Sequence, residues 1–177
     1  QASGLIANKV ATIRAQRLPR EVIPTDLLTR PDIWDALLQD MPMGAMIRNL
    51  ATMTRVGLIA PNSNATRLVT SHLLDPTRVT RAKIHPLACS LAAATYRLGH
   101  GIRGHGTWTP VPAILDALTD AFYLALPATI PIPGRTFVAI DVSGSMRFSY
   151  VDTGASISCS EAAGVMSLVF MTASQNA

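Results

Sequence analysis

The residues of this chain best suited to chemistry are Asp141, Ser143 and Ser145, a carboxylate and two hydroxyls at alternate positions in the phrase D-V-S-G-S-M. Hard divalent cations are held by oxygen ligands and water, so this D-x-S-x-S pattern suits an ion such as Mg²⁺. Asp141 would act directly or through water, with the two hydroxyls completing one edge. The same residue types also close strands and open helices, where short polar side chains bond nearby amides. A second constellation is electrostatic. Between Arg48 and His105 stand eight basic residues (Arg48, Arg55, Arg67, Arg78, Arg81, Lys83, Arg97, Arg103) against one acid, Asp75, while the flanks hold seven basic and ten acidic residues. All four histidines, His72, His85, His100 and His105, lie in the same window. A local excess of seven positive charges within a folded segment is the footprint of a polyanion site. Thirteen of the fifteen basic residues are arginine, whose planar fork matches phosphate or carboxylate.

Composition sets what must position these groups. At 177 residues the chain has room for one ordinary domain or parts of two. Apolar residues make up 49% and aromatic ones only 5%, with abundant Ala, Leu and Met, which favours helices packed on helices. Cys89 and Cys159 stand apart with no C-x-x-C, so they read as reduced, buried thiols of a cytosolic protein. No signal-type start and no run of about 18 apolar residues occurs, so neither export nor a membrane partner is indicated. The chain begins at Gln1 rather than Met and stops abruptly after a helix, and it reads as a piece of something longer.

Prolines and glycines divide the chain into helices. Ser3 to Arg17 carries Leu5, Ile6, Val10 and Ile13 near 3.6 spacing, and Thr25 caps a short turn. Pro31 opens a helix burying Ile33, Trp34, Leu37 and Leu38. Pro42 opens another with Met43, Met46, Ile47, Leu50 and Met53 inward, which leaves Arg48 and Arg55 on a second common face. Asn64 is placed to cap a helix carrying Leu68, Val69, Leu73 and Leu74. Pro76 starts a segment crowded with Arg78, Arg81 and Lys83, and an Ala-rich helix from Leu87 to Leu98 stops at Gly99. A glycine-rich loop follows, and Pro112 restarts the chain into Ile114 to Leu126, with Leu115, Leu118 and Phe122 inward. Irregular helix pairs of this kind suit a degenerate α-solenoid. We therefore expect an α-helical repeat over residues 1–127, a Pro-rich linker over 128–135, and a change of class over 136–177. There Phe137 to Ile140 reads as a buried strand running into the Asp141 loop, ahead of a helix from Ser158 to Met171. One buried strand needs neighbours on both edges, so this one is expected to pair with strands from outside these 177 residues.

Two resemblances follow from these phrases. Thr136 to Met146 resembles the metal-ion-dependent adhesion site of von Willebrand factor type A domains, where the same pattern ends the first strand of an α/β domain. That resemblance implies a Mg²⁺ or similar ion on Asp141, Ser143 and Ser145, with a Thr and an Asp supplied from beyond Ala177. Together with M-P-M-G-A-M-I-R-N-L at 41–50, A-K-I-H-P-L at 82–87 and Y-R-L-G-H-G-I-R-G at 96–104, the chain from about Trp34 to Met171 resembles the Ro ribonucleoprotein autoantigen family. The shared module of that family is named for telomerase, Ro and vault proteins. The resemblance implies a mostly α fold: part of a HEAT-like helical ring, followed by the first strand and helix of the type A domain. It also implies a non-enzymatic protein of RNA stability and quality control, which binds small non-coding RNAs and the ends of misfolded RNAs. Missing segments of the same protein, or another chain, would complete the type A domain. The positions that would meet RNA are Arg48, Asn49, Lys83, His85, Arg97, His100 and Arg103 in the matched phrases, with Arg55, Arg78 and Arg81 from the basic block. Phosphates need point charges and planar forks, and unstacked bases lie on guanidinium planes or imidazoles.

Other readings have less support. V-D-T-G-A-S at Val151 to Ser156 resembles an aspartic protease phrase, but a single carboxylate needs a second, and its surroundings read as helix rather than strand. Cys89, His85, His100 and His105 match no zinc spacing, and no G-x-S-x-G elbow or P-loop occurs. The main rival is a protein-binding scaffold using the helical repeat and the adhesion-type metal. Segregated positive charge is what separates it from an RNA binder.

Overall fold

A computed structural model describes residues 2–101, 106–151 and 157–174, with side chains from residue 6 onward. Among these residues the fold is helical, with three isolated β-bridges and no sheet. Seven helices form the main body: α1 (Ala2–Gln16), α2 (Pro31–Leu38), α3 (Met43–Arg55), α4 (Asn64–Leu73), α5 (Pro76–Ala82), α6 (Pro86–Leu98) and α7 (Pro112–Ala125). A short α8 (Gly144–Phe148) and a long α9 (Cys159–Ala173) follow.

Proline at the first helical position opens α2, α5, α6 and α7, where its missing N–H costs nothing and its fixed φ is already helical. The caps are specific. The Ser63 hydroxyl accepts the Thr66 N–H at 3.1 Å and opens α4, so the cap lies one residue before the expected Asn64. Asp75 accepts from the Thr77 and Arg78 amides to open α5. Gly99 ends α6 at φ 71°, a left-handed turn that glycine adopts without a Cβ clash.

The apolar stripes face inward as the spacing requires. Ile33, Trp34, Leu37 and Leu38 of α2, and Met43, Met46, Ile47, Leu50 and Met53 of α3, are all buried. They join Val69, Leu73, Ile114, Leu118 and Phe122 in one continuous core. Leu74 departs from this pattern: it ends α4 and is exposed. α7 is the central helix, lying against α4, α5 and α6, while α1 packs on α2 and α9 rests on α6 and on the turn after α7. Small side chains at Ala93, Ala117 and Ala121, all buried, let α6 and α7 approach closely.

Among the described residues Phe137 to Ile140 is not a strand and is not buried; the strands expected to pair with it lie outside this chain. The segment makes no ladder with any described residue, Phe137 is 92% exposed and Ile140 is exposed. Extended backbone becomes a strand only when a neighbour accepts and donates its hydrogen bonds, and no described segment lies alongside. The cysteines also differ from expectation in part. Cys89 is fully buried and burial pushes its thiol up to about 11, whereas Cys159 at the start of α9 is half-buried.

Two substitutions check the packing. Trp34→Ala, which empties a fully buried site and leaves the Leu28 carbonyl without the indole N–H at 2.8 Å, is expected to lower stability by about 3–5 kcal/mol in a chemical denaturation series. Ser63→Ala is expected to cost about 1 kcal/mol in the same series, whereas Asn64→Ala costs less.

Candidate nucleic-acid interface

Three of the candidate basic residues converge because α3 and α6 meet the sharp turn between α5 and α6. Arg48 lies on the exposed side of α3, one turn after Gly44. An added Cβ at Gly44 would stand 3.6 Å from the Arg48 guanidinium nitrogen Nη1 and 3.8 Å from Ile84 Cδ1. Arg48 and the turn therefore meet over a residue with no side chain. Lys83 ends α5 in the left-handed region at φ 50°, its amide donating to the Thr80 carbonyl. His85 opens α6: its Nδ1 accepts the Leu87 N–H at 3.2 Å, so in this role Nδ1 carries no proton and Nε2 is the remaining polar atom of the ring.

Arg48, Lys83 and His85 line a cavity of about 420 Å³ whose wall is otherwise mostly apolar, with Ile47, Ala51, Ala88 and Leu91 beside Thr95 and Tyr96. Among the described residues no acid lines it. The far wall is held by Tyr96, whose hydroxyl pairs with Thr54 Oγ1 at 2.8 Å and accepts the Val111 N–H at 3.3 Å. Burial raises the Tyr96 pKa, partly offset by these two bonds, so the phenol stays protonated at neutral pH. Trp108 stacks on the Tyr96 ring, 6.3 Å between centroids, and donates its indole N–H to the Tyr96 carbonyl.

The remaining candidates are dispersed. Arg97 lies on the opposite face of α6, in a second cavity of about 400 Å³ that it shares with Glu161 of α9, because the 100° step per residue turns position 97 away from 88, 91 and 95. Arg55 ends α3 against the glycine-rich loop, its Nη1 standing 2.8 Å from where a Cβ of Gly106 would be. Arg78 pairs with Asp75 at 3.6 Å, and Arg81 is exposed on the last turn of α5. Asn49 is tied to its own helix, donating to the Ala45 carbonyl at 2.8 Å. His100 is exposed beside the α6 cap, and Arg103 and His105 lie outside the described residues. Two members of the cavity escaped sequence reasoning. Gly44 was legible as a glycine inside a helical pattern, four residues before Arg48. Tyr96 carries no such signal, since its role depends on a partner 42 residues away.

At the other end of the chain, Asp141 Oδ1 accepts the Ser143 N–H at 2.8 Å, and the Ser143 and Ser145 hydroxyls are 3.0 Å apart. The bonds from Ser143 hold the exposed Asp141 carboxyl below its usual range. Three hard oxygens thus gather at the start of α8, a donor set that fits a hard cation sharing its shell with water. Among the described residues no three His, Cys, Asp or Glu side chains converge on one point; His105, one of the four residues of the zinc reading, lies outside them. Most of V-D-T-G-A-S, residues 152–156, is outside the described residues. No helix among the described residues is long and apolar enough to cross a membrane.

This helical array belongs to a known class: residues 14–95 match the TROVE domain. RNA-binding protein RO60 of Deinococcus radiodurans is 38% identical over 164 residues, 92% of this chain and 31% of that protein. RNA-binding protein RO60 of Caenorhabditis elegans is 40% identical over 161 residues, 90% of this chain and 24% of that protein. The crystal structure of the Deinococcus radiodurans RO (RSR) protein superimposes with a TM-score of 0.88 at 37% identity, over 96% of this chain and 34% of that one. The chain belongs to the Ro ribonucleoprotein family, and it spans about a third or less of the length of these relatives.

One buried group within the basic block makes stability depend on pH. His72 on α4 is buried, and desolvation, then Arg78, lower its pKa below the ordinary 6.5, against a smaller opposing pull from Asp75. The fold prefers the neutral ring, so below pH 6.5 the unfolded chain binds more protons and stability falls with pH. Thermal melts are expected to show a midpoint that drops from pH 7.5 to pH 5.5, and His72→Gln should flatten part of that drop.

Proposed function

We propose that this chain binds RNA without catalysis, as part of a protein that holds small non-coding RNAs and the ends of misfolded RNAs for their stability or quality control. The observation that carries the reading is the cavity rim: Arg48, Lys83 and His85 on one wall with no acid among them, in a chain whose relatives bear the name RNA-binding protein. A protein scaffold has no use for two cations and an imidazole donor beside an apolar wall, whereas a phosphate chain with unstacked bases uses both. Arg55, Arg81 and His100 would extend contact along the backbone. Arg97, on the other side of α6, would serve a separate strand or hold α9.

Residues 1–127 would act as the helical RNA-binding repeat, 128–135 as a linker and 136–177 as the start of a type A domain. Ile130, Phe137, Val142 and Phe148 are exposed apolar side chains that suit burial against the remainder of such a domain, supplied by further segments of the protein or by another chain. In that setting Asp141, Ser143 and Ser145 would contribute three oxygens to a divalent cation, Mg²⁺ by preference for hard ligands, which would orient the loop and a bound acidic group. A cytoplasmic location accords with the buried thiol Cys89, and no membrane contact is invoked.

Filter binding of the full-length protein to a structured small RNA at 50 and 200 mM salt tests the reading. Affinity is expected to fall by about ten-fold or more across that range. Arg48→Ala should weaken binding at low salt and reduce the salt slope by about one. Absence of binding, or binding without a salt slope, would favour the protein-scaffold alternative instead.

A further inference from the structure

The cavity beside Arg48 has a composition that bare phosphate does not require. Phosphate recognition needs donors and charge, yet most of this wall is Ile, Leu and Ala, and the basic residues gather where Arg48 of α3 meets the Lys83 to His85 turn. A volume of about 420 Å³ is within the range of sites that enclose a small, mostly apolar ligand with a few oriented polar groups. The turn also shows where the chain accepts a conformational cost. Lys83 sits at φ 50°, a position where glycine is the unstrained choice, and a lysine nevertheless stands there and lines the cavity. On the opposite side Gly44 keeps the approach of α3 open beneath Arg48.

We propose that this cavity is a nucleobase pocket. It takes one unstacked base of a single-stranded RNA against the Ile47, Ala51 and Leu91 wall. The guanidinium plane of Arg48 or the imidazole of His85 lies over the base, and the Lys83 ammonium holds the adjoining phosphate. The inference rests on the RNA-binding reading and narrows it: the strand is recognised here through a base and not only through its charge. A planar base satisfies both halves of the site, since its face is apolar and its edges meet donors at the rim. His85 can supply Nε2–H to a base acceptor while Nδ1 remains committed to the α6 amide.

The test uses the full-length protein and two fluorescent oligoribonucleotide probes of equal length, one a normal single strand and one abasic throughout, followed by anisotropy. Ala88→Leu adds bulk from an exposed position on the cavity wall, and Lys83→Gly removes the ammonium from a backbone position glycine accepts; thermal melts verify that both variants fold. Ala88→Leu is expected to weaken binding of the normal strand about ten-fold and to change the abasic strand by less than two-fold. Lys83→Gly is expected to weaken both strands and lower the salt slope by about one. Equal effects of Ala88→Leu on the two probes, or no effect on either while salt-dependent binding persists, would overturn the pocket and leave the RNA reading standing. Failure of both probes to bind the unaltered protein would overturn the two together.

Discussion

The Tyr96 hydroxyl is the contact on which the described arrangement depends. It bonds Thr54 near the end of α3 and the Val111 amide at the start of α7, while its own helix, α6, forms the opposite wall. One buried phenol thus fixes three helices against each other, and Trp108 closes it from the side by stacking and by donating to its carbonyl. A buried hydroxyl left with one partner missing is costly, so the three helices hold this spacing together or lose it together. That spacing is what leaves a cavity between α3 and α6 instead of a filled seam.

The electrostatics follow from that frame. The sequence concentrates eight cations in one window, but a folded helix distributes them by register, and two of them, Arg48 and Lys83, line one cavity together with His85. Asp75, the one acid of the window, is occupied as the α5 cap and as the partner of Arg78, so it does not offset the cavity. Arg97 is set apart on the far side of α6 beside Glu161. Positive charge in this chain is therefore arranged as one compact rim with satellites, rather than as a continuous stripe.

Much of this was legible in advance, for physical reasons that can be named. Pro31, Pro76 and Pro112 start helices because their φ and missing N–H leave little alternative, and Gly99 ends one because of its left-handed φ. The buried stripes of α2 and α3 follow directly from 3.6-residue spacing. The cap of α4 fell on Ser63 and not Asn64, since adjacent residues both able to cap differ only in where the chain turns. The strand at 137–140 was read from composition, yet a strand is a relation between segments, and no second segment lies beside it among the described residues. The cavity needed long-range pairing, which local spacing does not carry: the Thr54 to Tyr96 bond and the meeting of Arg48 with Ile84 over Gly44 join residues far apart in sequence.

The central claim is that a nucleic-acid strand meets this protein at the corner shared by α3 and α6. Ultraviolet cross-linking of the full-length protein to a 4-thiouridine-containing single strand, with the adducts mapped by mass spectrometry, reports contact directly. The account predicts adducts on peptides holding Arg48 and on those spanning Lys83 to Leu91. Adducts confined to α1 and α2, or to the Arg97 and α9 face, would contradict it.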